Sequence, residues 1–382
     1  MPAADQQAVT LYGGDTYLAS QGAIWKYNKA LGTWSPLAGA IVGHSQLGYG
    51  LIKSIVVNGN SIHVGGRFDS VGVGADNISA NNVATYNAGT QKWSRWGSET
   101  SNGVNGEVRA IVEGMQGRYV GGIFSTAGSV SANNVARFYN NTWDGVAGGV
   151  TYPSSANNPN APQNDQLTSV NALHCKTLWD GSNGYTDRVY VGGHFAKAGS
   201  LSCQNIAALS VNVYGYQNWS SCGNLWQALR NSCTNVFYNR EAQVLSFGYV
   251  SLNDTLYVSG TFSAINSTVG QYPASDCQAF PNLIGLSQVA FAYGYQTPGT
   301  VSSWATVYPG ILPGRLAANS NSVFYEGNLS GESYPFSSSL KKFQNNIWSS
   351  FLGAVENNSQ SMSADLSQVV FSGGQHRRLV IP

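Results

Sequence analysis

A motif of the form Tyr-Val-Gly-Gly-x-Phe, then Asn-Asn-Val-Ala, then Trp recurs along these 382 residues, and each recurrence reads as four short strands. Only 10 % of the residues are charged, against 45 Gly, 21 Tyr, 14 Phe and 10 Trp. Together these features predict an all-β chain folded as a β-propeller of about seven four-stranded blades, six complete units plus an incomplete seventh. An ordinary soluble domain carries roughly 25 % charge. The formal balance of +1 leaves no basic footprint for nucleic acid or an anionic membrane. A chain this rich in aromatic and β-branched residues buries enough surface to offset its ordering entropy, which excludes disorder.

The units follow in order. The first has Ala8–Tyr12 as its innermost strand, then Thr16–Ser20, Ala23–Tyr27 and Trp34. The second runs Leu51–Val57, Ser61–Phe68, Asn81–Tyr86 and Trp93, and the third Val108–Val112, Arg118–Phe124, Asn133–Phe138 and Trp143. Val170–His174, Val189–Phe195, Gln204–Ala207 and Trp219 form the fourth. Leu256–Phe262, Gln288–Ala290 and Trp304 mark the fifth; Val323–Gly327, Leu340–Phe343 and Trp348 mark the sixth. Residues 1–382 are therefore expected to form one domain, because a repeat of this kind overrides the domain count that length alone suggests. A helical solenoid is excluded by the lack of any i, i+3, i+4, i+7 apolar stripe.

The repeat-core positions have physical reasons. Gly65-Gly66, Gly121-Gly122 and Gly192-Gly193 are expected to permit φ > 0 and close strand approach near a crowded centre. Each Trp is expected to bury about 150–250 Å² against the next sheet, roughly 4–6 kcal/mol as an upper bound. This order of strand, Tyr-Val-Gly-Gly-x-Phe, Asn-Asn-Val/Ile-Ala and Trp resembles kelch-type propeller repeats, closest to the variant of fungal cortical cell-polarity marker proteins and related secreted propellers. The resemblance is strongest over residues 51–225 and implies a propeller of six to seven blades displayed outside the cell. It marks scaffold positions, so no functional residue carries over. Ser259 and Glu326-Gly327 depart from the glycine pair.

Five cysteines fall in units four and five with no zinc-ribbon or Cys-x-x-Cys spacing. Cys203 pairing with Cys222 and Cys233 with Cys277 is the preferred arrangement, Cys222–Cys233 is the alternative, and Cys175 is left as a buried thiol in an inner strand. Such bridges imply an oxidising compartment. Seven Asn-x-Ser/Thr acceptors point the same way: Asn77, Asn140, Asn218, Asn253, Asn266, Asn328 and Asn357. The expected location is extracellular or at the cell surface, with no membrane span. Residues 150–167 and 266–287 read as long inserted loops.

No catalytic constellation emerges. His44, His63, His174, His194 and His376 are scattered without ligand spacing, and no Gly-x-Ser-x-Gly or His-Glu-x-x-His is present. No catalytic, cofactor-binding or metal-ligating residue is nominated, and no cofactor is called for. The preferred function is a non-enzymatic extracellular structural or adhesion module, a unit of a larger assembly. One alternative is a lectin-like propeller with Trp96, Trp179 and Trp226 as sugar-stacking candidates. The other is a copper radical oxidase-like enzyme, a class that uses kelch-like propellers. Expected partners are other protein chains or glycans at the rim loops. The seventh unit adds an expected open edge near Arg378–Ile381: Met362–Leu366, Val369–Ser372 and Arg378–Ile381 supply three strands, and Pro382 follows. Proteins rarely leave such an edge bare.

Overall fold

The computed structural model describes residues 6–152, 168–179, 181, 184–221, 225–226, 243–252, 255–260, 264–265, 284–290, 303–310, 315–327, 337–344, 347–356, 361–364, 368–372 and 377–380. Runs of alternating β-branched and aromatic residues punctuated by Gly and Asn turns make antiparallel sheets. The first main sheet is Gln6–Tyr12, Asp15–Ser20, Ala23–Asn28 and Thr33–Gly43. The second is Leu51–Asn58, Ser61–Arg67, Val83–Asn87 and Lys92–Arg95, and the third Glu107–Gly114, Gly117–Ile123, Val135–Tyr139 and Thr142–Asp144. Ser169–Trp179, Tyr185–His194, Ile206–Asn212 and Gln217–Ser221 make the fourth. Val244–Val250, Thr255–Gly260, Ile284–Ala290 and Ser303–Gly310 make the fifth, in which the third strand begins inside the stretch read as an inserted loop. Arg315–Ala318, Val323–Gly327, Ser337–Gln344 and Ile347–Glu356 make the sixth. A three-stranded sheet of Ser361–Ala364, Gln368–Ser372 and Arg377–Val380 follows.

The first strand of each sheet packs beside the first strand of the next, and the strand Ser361–Ala364 packs beside Gln6–Tyr12. These contacts close a ring, and the fold is an all-β propeller. Apolar clusters fill the gaps between sheets. Ile52, Val64, Phe68 and Tyr86 join Ala40 and Val42 between the first two; Val108, Val120, Phe138 and Trp143 join Val83 and Trp96 between the next two. A smaller cluster of Val9, Leu18 and Val370 lies where last meets first.

The expectation that the paired glycines supply φ > 0 does not hold: all three pairs are extended, and their requirement is space. A β carbon on the first glycine would strike the next inner strand, with Val108 Cγ1 at 2.4 Å from Gly65, Val170 Cγ1 at 2.4 Å from Gly121 and Val244 Cγ1 at 2.5 Å from Gly192. On the second it would strike the sheet's own inner strand, with Leu51 O at 1.8 Å from Gly66, Glu107 O at 1.9 Å from Gly122 and Ser169 O at 2.0 Å from Gly193. Each of those approaches lies at a β-bulge, where Lys53, Arg109 and Asn171 are the extra residues.

The left-handed positions are instead the second Asn of each Asn-Asn or Gln-Asn: Asn82, Asn134 and Asn205, with φ of 64°, 65° and 65°. Asparagine tolerates that conformation and uses its amide while there. Asn134 Oδ1 accepts from Phe124 N at 3.2 Å and its Nδ2 donates to Val150 O at 3.1 Å. Asn82 does the same with Phe68 N and Val104 O. The segments so held form an inter-sheet clasp. Val42 pairs with Val71, Val104 with Ala127 and Val150 with Ala198, each time joining the tail of one sheet to a small hairpin of the next, and Leu225 pairs with Ile265.

The tryptophans also face otherwise than expected, reaching back to the preceding sheet. Trp93 Nε1 donates to Gly39 O, Trp143 Nε1 to Trp96 O and Trp219 Nε1 to Ala147 O, at 2.8, 3.1 and 3.2 Å. Trp34 is half-buried against Tyr27, with ring centroids 5.2 Å apart. Trp304 and Trp348 occupy the outer strands of the fifth and sixth sheets. Cys203 is a buried free thiol, so the expected Cys203–Cys222 bridge is not made. Its side chain packs inward among Val150, Ala198 and Trp219 rather than toward the rim, and burial pushes the thiol up to about 11. Cys175 is a free, half-buried thiol whose pKa burial also raises. Cys222, Cys233 and Cys277 lie outside the described residues.

Candidate interaction surface

In the first three sheets the antiparallel strand order brings the turns after the first and third strands out on one face of the ring, and hydrogen bonds link neighbouring turns there. Gly59 N donates to Tyr12 Oη at 3.0 Å, and Asn58 Nδ2 to Glu113 Oε2 at 3.0 Å. The fourth sheet departs from this regular rim. Its first two strands have 11 and 10 residues, against 8 and 7 in the third sheet. Three extra residues in the first strand carry the hairpin about 10 Å farther at about 3.3 Å per residue. At its tip Trp179 and Tyr185 are cross-strand partners with ring centroids 4.9 Å apart at 68°.

The neighbouring turn of the same sheet adds Tyr214 and Tyr216. Asn212 Oδ1 accepts from Tyr214 N and Tyr216 N, both at 3.0 Å, and Gly215 at φ 81° closes the loop. A backbone tied in this way holds its side chains ready at low ordering cost. Trp179, Tyr185, Tyr214 and Tyr216 are 65, 42, 68 and 75 % exposed. None of them is charged, and each carries a polar hydrogen on an aromatic body. Residues of this type, set among Gly and Asn, dominate recognition loops because they offer large rigid contact area with few torsions to freeze.

The hairpin is rooted by Asp187, which is fully buried. Its carboxylate accepts from Met115 N, Gln116 N, Tyr119 Oη and Thr177 Oγ1 at 2.9, 2.7, 3.0 and 2.6 Å. Three of those donors belong to the third sheet's turn and second strand, so the acid fastens two sheets together. Burial and the adjacent carboxylate push the Tyr119 hydroxyl pKa up. No repeat position marks Asp187; the only sequence signal is an acidic residue where the hairpin alternates inward.

The sequence candidates separate in space. Trp96 is core, 1 % exposed, and Trp179 is on the surface; Trp226 pairs with Ala264 through its backbone. Asn77, Asn140 and Asn218 are exposed, the first two at turns, whereas Asn253, Asn266, Asn328 and Asn357 lie outside the described residues. His194 stacks on Tyr152 at 4.9 Å, and His63 is buried elsewhere. Among the described residues no three His, Cys, Asp or Glu side chains converge as a metal site would require, and no helix is long and apolar enough to cross a membrane.

His63 lies between the second and third sheets. It shares a 2.7 Å hydrogen bond with Thr85 Oγ1, which also accepts from Trp96 Nε1, and its Nε2 is 4.0 Å from Glu113 Oε2. Burial, then the Arg118 charge, pushes its pKa down to about 4, with Glu113 opposing. An unfolded chain's histidine binds a proton below about 6.5, so between those values the unfolded state holds more protons and stability falls as pH falls. The expected loss from pH 6.5 to 4 is at most about 3 kcal/mol. Urea midpoints should drop across that window in the native chain and flatten in His63→Gln, which keeps a partner for Thr85. An equal drop in both proteins would remove His63 as the cause.

No family model and no curated protein matches the sequence. Among solved structures, the chain is similar to the Myceliophteria thermophila Cps50 (Swd1) β-propeller domain, with 6 % identity, 100 % of this chain and 99 % of that one covered, and a TM-score of 0.53. It is also similar to U3-55K, at 10 % identity with 97 % and 89 % covered and a TM-score of 0.48. At such identities the likeness concerns the fold.

Proposed function

We propose that the chain is a non-enzymatic interaction scaffold, a kelch-like propeller spanning residues 1–382 as one domain and displayed outside the cell, whose fourth blade presents a docking tip for a protein partner. The observation that carries the reading is the uncharged cluster of Trp179, Tyr185, Tyr214 and Tyr216, exposed on a hairpin anchored by a buried acid. Interface hot spots concentrate Trp and Tyr on rigid supports, ringed by neutral contacts. Exposure of all three described glycosylation acceptors supports secretion, as does a surface with few charges.

The test uses a photo-crosslinking residue at Tyr216 on the native cell surface, beside a Trp179→Ala, Tyr216→Ala double variant. A protein captured by the native tip should be lost from the double variant by at least about tenfold, since each hot-spot truncation costs about 2 kcal/mol or more. Thermal stability should stay within about 0.5 kcal/mol, because both side chains are surface groups. Equal capture by both proteins overturns the reading. Retention on a neutral glycan array that the double variant loses would replace the protein partner by a sugar.

A further inference from the structure

We infer that Asn218 is an N-glycosylation site whose sugar lies on the Tyr216 ring and closes one flank of the fourth-blade tip, leaving Trp179 and Tyr185 as the flank open to a partner. It rests on the chain's display outside the cell and adds a covalent control to the same tip.

Asn218-Trp219-Ser220 is an Asn-x-Ser acceptor on the outer strand of the fourth sheet, Gln217–Ser221. That strand pairs Gln217 with Val211 and Asn218 with Ser210. Asn212 N donates to Tyr216 O at 3.1 Å, which extends the ladder by one rung. Tyr216 and Asn218 are therefore neighbours on one face of the sheet, about 7 Å apart along the strand. Side-chain partners bear out the alternation. Gln217 and Trp219 reach back to Asp144 and to Ala147 O at the end of the third sheet, whereas Arg188 Nη2 meets Ser220 Oγ at 3.5 Å on the other face. In the hairpin, Trp179 and Tyr185 share the face of Thr177 and Asp187, which look toward the third sheet. The tip thus has two flanks, and Asn218 is on that of Tyr216.

Both residues have room for a sugar: Asn218 is exposed, and Tyr216 is 75 % exposed. In the transfer the Asn218 amide nitrogen attacks the anomeric carbon of a polyprenyl-pyrophosphate oligosaccharide. A C–N bond forms, the C–O bond to pyrophosphate breaks, and the amide gives up a proton. The first sugar then starts beside a phenol ring whose backbone is already held by Asn212 Oδ1, and the C–H face of a pyranose packs on it at little ordering cost. The other described acceptors lack this arrangement. Ala75 stands two residues before Asn77, and Phe138, two before Asn140, is core.

The experiment secretes the full 382-residue chain from a glycosylating eukaryotic host, maps sugar by mass spectrometry and measures nitration by tetranitromethane at Tyr216 and Tyr185. A Ser acceptor with a bulky Trp in the middle is slow, so partial filling of Asn218 is expected, raised in Ser220→Thr and abolished in Asn218→Gln. Nitration of Tyr216 relative to Tyr185 should be at least about threefold slower in Ser220→Thr than in Asn218→Gln, the protection that a contact as strong as an aromatic pair gives. Asn77→Gln should leave the native ratio unchanged. The native sequence made in a host without the transferase supplies the same contrast free of any substitution. Equal ratios in filled and unfilled chains overturn the inference. So does an unmodified Asn218 in a chain that carries sugar at Asn140, a result that leaves export standing; a chain without sugar at any acceptor overturns export as well. Nitration needs no partner, so a tip that docks nothing is distinguished from a tip without its sugar.

Discussion

Gly122→Ala is expected to destabilise the propeller by about 3–5 kcal/mol, at the severe end for a single methyl group. The added carbon would sit 1.9 Å from Glu107 O and 3.0 Å from both Glu107 C and Val108 Cα, all of them main-chain atoms of the same hairpin. Relief requires the first strand to move away at its bulge, and that strand is also the one that packs on both neighbouring sheets around the ring. Gly121→Ala is the informative companion. There the nearest atoms are Val170 Cγ1 at 2.4 Å, Val170 Cβ at 3.1 Å and Leu173 Cδ1 at 3.3 Å; the two terminal atoms can withdraw by rotamer changes, and the Cβ needs to give by only a few tenths of an ångström. Its expected cost is about 1–3 kcal/mol, the ordinary range for overpacking. Urea unfolding of the two variants side by side decides the matter. If Gly121→Ala proves as damaging as Gly122→Ala, the main-chain approach is not what demands the second glycine.

That contrast shows where sequence reasoning reached and where it stopped. Strand order and the repeat anchors follow from periodicity, because hydrophobic alternation and turn residues are local properties of the chain. Of the two reasons expected for the glycine pairs, close strand approach holds and φ > 0 does not, since both leave the same letter in the sequence. The left-handed residue was one motif away, at Asn82, Asn134 and Asn205. Cys203 was misread for a similar cause: a position between strands looks like a rim, but the small hairpin that follows the second strand folds back over the sheet and buries it. At the interaction surface a place outside the repeat singled out Trp179 but equally Trp96, which is core, so that signal alone did not separate them. Tyr214 and Tyr216 were not singled out, because 21 tyrosines in one chain give no contrast without coordinates. Asp187 had no signal at all beyond being an acid in a strand.

Loss of that acid should have the second large effect. Asp187→Ala would leave Met115 N, Gln116 N, Tyr119 Oη and Thr177 Oγ1 without their acceptor in a site closed to water. Hydrogen bonds to a charged group are worth about 1.5–3 kcal/mol each, and stranding buried donors adds their desolvation, so a net cost of about 3–5 kcal/mol is expected after partial relaxation. Asp187→Asn keeps the shape but only one accepting oxygen and directs an N–H₂ at groups that are themselves donors; about 2–3 kcal/mol is expected for it. Tyr119→Phe removes a single donor and should cost about 1 kcal/mol. The consequence for the surface follows from geometry. The acid fastens the root of the hairpin that carries Trp179 and Tyr185 to the turn of the third sheet, so its loss should loosen both elements together. Amide exchange should rise at 115–119 and 179–187 in Asp187→Asn while the first sheet, Gln6–Gly43, stays protected. Partner binding at the tip should weaken through added mobility, whereas Trp179→Ala should weaken it with exchange unchanged. An Asp187→Asn protein with native stability and native exchange at both segments would mean that the tip is held by packing alone.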